Sequence, residues 1–215
     1  MGWFVGLPNW RPALRAGEQY GVDVSAHQGS IDWPRVAGDG IRFAYIKATE
    51  GADFVDDRFD ENWRGAELAG IERGAYHFFT LCTTGQAQAV NFLRVAPPHP
   101  AALAPAVDVE LAGNCRARPE RKAVAAELAD FLATTEGAWN RKPIVYLGSD
   151  FEAVYQMRDQ LDSLIWQQRF LRRPAGWRVV MWQLHGYARV EGITGRVDLD
   201  IGQIARIRTG RQAVR

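Results

Sequence analysis

The residues of this chain best suited to chemistry are aspartates set among valines. Three short stretches share a Val-Asp-apolar core followed by a polar or acidic residue: Val22-Asp23-Val24-Ser25, Val107-Asp108-Val109-Glu110 and Val197-Asp198-Leu199-Asp200. An ionised carboxylate is costly to bury without partners, so this pattern suits strands whose ends converge on a polar pocket. In the middle copy Asp108 and Glu110 are two apart, so on a strand both side chains leave one face and Val109 the other. Two adjacent carboxyl groups are what glycoside cleavage needs, one as proton donor and one as anion.

The elements that must carry these residues alternate after residue 20. Strands are expected over Tyr20–Val24, Ile41–Ala48, Gly74–Phe79, Ala106–Glu110, Pro143–Leu147, Ser163–Gln168, Arg178–Gln183 and Arg196–Ile201. A short helix opens at Asp32-Trp33-Pro34, with Asp32 as N-cap and Pro34 at an early position. Further helices are expected over Asp60–Leu68, Thr84–Val95, Pro119–Glu136 and Asp150–Tyr155, and none beyond. Alternating strand and helix implies a parallel sheet with helices outside. About eight strands in 215 residues, where eight full units usually need about 250, fits a modified TIM-like α/β barrel that lacks its last helices. One catalytic domain is expected over residues 20–215. Residues 1–19 read as an N-terminal extension that is not a signal peptide as it stands, since it holds no continuous apolar run and no Ala-x-Ala site; a remnant left after removal of an export segment would look the same.

The formal charge is +1, from 26 basic and 25 acidic residues, which gives no field for nucleic acid. No run of about 20 apolar residues could span a membrane. The eight Trp suit a sugar cleft, with core packing the reading for most of them. Cys82 and Cys115 each follow the end of a predicted strand, and those strands are consecutive. In one parallel sheet the two loops lie side by side within disulfide reach, which would imply an oxidising compartment; two unrelated buried thiols are the alternative. His27, His77, His99 and His185 show no metal-ligand spacing, and no cofactor or metal is expected. His77 is out of phase with Tyr76 and Phe78, which makes it a hydrogen-bonded structural histidine pointing away from the barrel interior. Lys47, inside an apolar strand, needs a carboxylate partner, either Glu50 or the site itself.

Six segments then resemble one family in order. They are Asp23-Val24-Ser25-Ala26-His27-Gln28-Gly29 with Ile31-Asp32-Trp33, Phe43 to Gly51, Gly74 to Phe79, Val107 to Glu110, Trp182-Gln183, and Gly192 to Asp200. Together they resemble the glycoside hydrolase family 25 lysozymes, N-acetylmuramidases, from about Tyr20 to Ile201. The resemblance implies an eight-stranded barrel with fewer helices, and cleavage of the β-1,4 bond between N-acetylmuramic acid and N-acetylglucosamine in peptidoglycan. It carries the functional carboxylates onto Asp23, Asp108, Glu110 and Asp198. It also points to Tyr76, Tyr146, Trp166, Gln183 and Lys47 as substrate-binding residues. The chain departs from the family at Ile165-Trp166-Gln167-Gln168-Arg169-Phe170, keeping the tryptophan beside a bulkier and more polar wall.

On this reading Glu110 is the general acid, its pKa raised by an anionic Asp108. Asp108 stabilises the developing positive centre, either directly or by steering the substrate's 2-acetamido group. The expected partner is the peptidoglycan glycan strand, the chain a monomer, and its location secreted or periplasmic. A non-catalytic sugar-binding barrel and a chitinase-like hydrolase are the rivals. The chitinase run Asp-x-x-Asp-x-Asp-x-Glu is absent, because Ala106 stands where it needs an acid. Asp23 and Asp198 are expected to meet at the rim that holds Asp108 and Glu110, with Lys47 the nearest cation.

Overall fold

The computed structural model describes residues 7–210. Its strands are β1 (Glu18–Val24), β2 (Phe43–Glu50), β3 (Phe54–Val55), β4 (Glu72–Phe78), β5 (Ala106–Val109), β6 (Ile144–Leu147), β7 (Ile165–Gln168), β8 (Val179–Ala188) and β9 (Val197–Gln203). The helices among these residues are α1 (Trp33–Gly38), α2 (Phe59–Leu68), α3 (Gly85–Val95), α4 (Arg121–Trp139), α5 (Ser149–Tyr155) and α6 (Ile204–Thr209). Eight strands pair in the order β1-β2-β4-β5-β6-β7-β8-β9 and back to β1, which closes the barrel. The two-residue β3 folds back on β2 as a hairpin, with Glu50 opposite Phe54.

Two sequence expectations are corrected here. The barrel is mixed: β9 runs antiparallel to both β8 and β1. A parallel return needs a long crossover, and only residues 189–196 separate β8 from β9. The helices also do not end with α5, because α6 follows β9 directly. Ile204 and Ile207 of that helix pack in the same cluster as Phe43, Tyr45 and Leu103, where they plug the barrel floor.

The period-two alternation of the strands sorts two cores. Ala44, Ile46, Ala75, Val107, Val109, Val145 and Leu147 face outward into the layer beneath the helices. Phe43, Tyr45, Tyr76, Ala106, Ile144, Tyr146, Trp166 and Met181 face inward. Each inward row becomes polar as it climbs: Phe43, Tyr45, Lys47 on β2, and Ala106, Asp108, then Glu110 just past β5. Room for the aromatic floor comes from glycines. A methyl group on Gly21 would lie 2.3 Å from the Phe43 ring, and one on Gly74 2.4 Å from the Tyr45 ring.

His77 takes the outward phase expected of it. It is fully buried, pairs with Thr49 Oγ1 at 2.8 Å and Gln88 Oε1 at 3.1 Å, and stacks on Phe131. Burial lowers its pKa to about 3, so it stays a neutral structural residue.

Cys82 and Cys115 form a disulfide with Cα atoms 6.3 Å apart, joining the loops after β4 and β5. Asn114 reinforces the same junction. Its Nδ2 donates to the carbonyls of Phe79 (2.8 Å) and Glu110 (2.9 Å), and its Oδ1 accepts from Leu81 N. The bond spans a sequence separation of 33, for which loop-closure entropy gives on the order of 3–4 kcal/mol. Denaturant titration with and without reductant should show a loss of that size. An unchanged unfolding midpoint in fully reduced protein would contradict it.

Candidate active site

The upper ends of the inward rows open into a cleft of about 540 Å³. The structure brings every sequence-predicted site residue to it. Asp23, Lys47, Tyr76, Asp108, Glu110, Tyr146, Trp166, Gln183 and Asp198 all line this cavity. Asp23 and Asp198 are register partners across the β1–β9 pair. They share the rim for a reason different from the one expected: Asp23 lies near the end of β1, while Asp198 lies at the start of the antiparallel β9.

Beneath the acids, Trp166 forms an aromatic floor with Tyr45, Tyr76 and Tyr146, at ring separations of 5.4, 6.4 and 5.2 Å. Trp166 is only 2 % exposed, and its indole N–H donates to Asp200 Oδ1 at 2.9 Å. Tyr146 donates to Gln183 Oε1 (3.2 Å), which turns the Gln183 amide N–H toward Asp23 Oδ2 (2.9 Å). Lys47 resolves the choice between partners in favour of Glu50, at 2.7 Å, with its ammonium 4.9 Å from the Phe78 ring centre.

Burial is the first cause of every carboxyl shift at this mouth, since low polarity disfavours the anion. It raises Asp23 and Asp108 well above the ordinary carboxylate range, with neighbouring acids adding to the effect. Asp198 is pushed up to about 6 by burial. Glu110 is raised to about 7, by burial first and then by the charges of Asp150 and Asp198, against a lowering by Lys47. The expectation that Asp108 supplies the like charge is therefore corrected. Asp108 is not among the charges that act on Glu110; Glu110 is instead among those that raise Asp108.

Sequence reasoning missed Asp150 and Asp200. Asp150, in the first turn of α5, accepts from the backbone N–H groups of Leu111 (3.1 Å) and Ala112 (2.9 Å), which follow Glu110 directly. A lone acid in a helix's first turn carries no signal of this long-range contact. Asp200 did carry one, since Asp198-Leu199-Asp200 repeats the two-residue spacing of Asp108 and Glu110. Asp56 fastens the loop after Asp23 by accepting from Ala26 N at 2.9 Å. Among the described residues no group of three or more His, Cys, Asp or Glu is arranged to hold a metal ion.

A carboxyl-lined cleft at the mouth of an α/β barrel, with Glu110 and Asp198 both raised by burial, is an arrangement suited to glycoside cleavage. Residues 22–193 match the profile described as Glycosyl hydrolases family 25. The chain is similar to a bacterial lysozyme from Streptomyces coelicolor (TM-score 0.78, 28% identity), covering 89% of this chain and 97% of that one. It is 35% identical to the Escherichia coli K12 protein YegX over 193 residues, 85% of this chain and 68% of that protein. It is 54% identical to lysozyme M1 of Streptomyces globisporus over 82 residues, 38% of this chain and 28% of that protein. The chain belongs to glycosyl hydrolase family 25, and it is an enzyme of the glycosidase type.

The Asp150 contact makes a prediction independent of substrate. Asp150→Asn keeps an acceptor for the Leu111 and Ala112 amides but removes a negative charge beside Glu110. Loss of a like charge lowers an acid's pKa, so the Glu110 midpoint should fall below its value of about 7. A carboxyl carbon NMR titration measures this, and an unmoved midpoint would rule the interaction out.

Proposed function

We propose that this chain is a muramidase that cleaves the β-1,4 bond between N-acetylmuramic acid and N-acetylglucosamine in peptidoglycan. The observation that carries this reading is Glu110, a carboxyl at the cleft whose pKa of about 7 leaves it protonated over a usable part of the neutral range. It acts as the general acid, donating its proton to the glycosidic oxygen as the bond to the anomeric carbon breaks. Asp108 lies one inward step below. An anion there is costly in the empty cleft, and a positive sugar centre above it repays that cost. The two charges therefore stabilise each other most in the transition state.

A substrate with a 2-acetamido group gives Asp108 a second task, holding the amide N–H while the carbonyl oxygen attacks the anomeric carbon. Asp23 and Asp198 flank the pair, and Tyr76, Tyr146 and Gln183 hold sugar hydroxyls at the mouth. Peptidoglycan as substrate is supported by the similarity to lysozymes, and places the enzyme's work at the cell wall, in a secreted or periplasmic setting. The Cys82–Cys115 bond fits an oxidising compartment of that kind. A non-catalytic sugar-binding barrel is disfavoured by the complete carboxyl set.

Glu110→Gln replaces acid by amide at nearly constant volume. It should lower the clearing rate of a purified peptidoglycan suspension by at least ~10²-fold while circular dichroism stays native. Chitin serves as the control polymer and should stay intact with the unaltered enzyme. A Gln variant that keeps more than half the turnover would remove Glu110 from this role.

A further inference from the structure

Asp200 is the most deeply buried acid of the cleft region, with 0 % exposure, and the proposed reaction leaves it without a task. Its surroundings can be counted donor by donor. Oδ1 accepts the Trp166 indole N–H at 2.9 Å. Oδ2 is closed off from solvent and has no donor within reach among the described residues. Strand register sets this carboxyl group beside that of Asp23, because Asp200 lies two residues past Asp198, the partner of Asp23 on β1, and opposite Gln183 on β8. The two carboxyl groups act on each other as a side-chain hydrogen bond. Asp23 already accepts from Gln183 through its own Oδ2 at 2.9 Å.

The groups acting on this pair are Asp198 on β9, Gln183 on β8, Trp166 on β7, Tyr45 on β2, Tyr76 on β4 and Glu110 after β5. None of them is a cation. Two ionised carboxylates in contact here would repel each other at short range and leave Oδ2 unsatisfied as well. One proton between them removes both penalties.

We propose that Asp200 is permanently protonated at working pH and donates a hydrogen bond to Asp23, making Asp200 the residue that orients Asp23 at the cleft. The proton belongs on Asp200 because that residue is the deeper of the two, while Asp23 faces the cleft and receives a second donor. Burial and the Asp23 charge also raise the Asp200 pKa, and the contact with Asp200 lowers that of Asp23, in the directions this assignment requires. Asp200 is thus a positioning residue that acts through Asp23. The inference holds for whichever sugar bond the cleft cleaves, and it does not use Glu110 as the acid.

Asparagine separates this role from that of an anion, because an amide N–H can donate to Asp23 as a carboxylic O–H does. Asp200→Asn should keep most of the wild-type clearing rate on peptidoglycan. Asp200→Ala, which removes the donor, should lose about 10-fold or more. The pH dependence of stability gives a second readout. An acid whose pKa is raised on folding stabilises at low pH and loses that contribution as pH rises through its folded value. Wild-type thermal stability should therefore decline as pH rises from the ordinary carboxylate range toward the raised folded value, and the Asn variant should show less of that decline.

Infrared difference spectra of wild type against Asp200→Asn at neutral pH should show one protonated-carboxyl C=O band lost. An Asn variant as inactive as the Ala variant, with a native thermal midpoint, would overturn the proposal. So would a spectrum in which the substitution removes a carboxylate band. Should both variants fail to fold, the carboxyl carbon NMR titration of Asp200 in the unaltered protein decides. A neutral carboxyl at pH 7 supports the assignment, and an ionised one refutes it. A Glu110→Gln enzyme that stayed active would overturn the acid assignment and leave this one standing.

Discussion

The cleft depends on keeping acids inside a barrel mouth that offers them little positive charge. Asp23, Asp108, Glu110, Asp198 and Asp200 share the upper interior, and Lys47 is the cation that acts on Asp108 and Glu110. Lys47 is itself engaged by Glu50. The charge must therefore be limited by protons, and burial supplies the free energy that retains them. The aromatic floor is what makes that burial possible. Tyr45, Tyr76, Tyr146 and Trp166 fill the space below the acids, and Gly21 and Gly74 leave room for the Phe43 and Tyr45 rings at the base.

Around this interior the loops act as clamps on the acids. Asn114 and the disulfide tie the segment after Glu110 to the loop after β4, and Asp150 holds its amides from the α5 side. Asp56 does the same for the segment after Asp23. A carboxyl group near neutrality responds strongly to small movements, because its proton affinity depends on distances to its neighbours. Fixing the backbone on both sides of such a group preserves its chemistry as well as its position.

Much of this was legible along the chain, and what was not has physical reasons. The eight barrel strands, the outward phase of His77, the cysteine pairing and the shared face of Asp108 and Glu110 all follow from local pattern and order. Strand direction does not, and Asp198 reaches the same rim only through the antiparallel course of β9. Val197 to Asp200 reads the same whether it climbs or descends, and only the short loop over residues 189–196 discloses that β9 descends. The hairpin strand β3 is too short for any periodicity. The charge that lifts Glu110 comes from Asp150, which is forty residues further along the chain and meets it only because β5 and β6 are neighbours. Asp200 lay within a recognised pattern, yet its partner was set by the closure of the barrel.

The descending β9 also determines how the two acidic pairs are arranged in depth. From Asp108 to Glu110 the chain climbs toward the opening, whereas from Asp198 to Asp200 it sinks toward the floor. The strand then passes straight into α6 at the base, so the chain leaves the barrel on the face opposite the sugar cleft. A binding module, fluorescent tag or surface tether attached beyond that helix would hang from the underside of the enzyme. The open mouth would remain free to settle on an extended, immobile polymer.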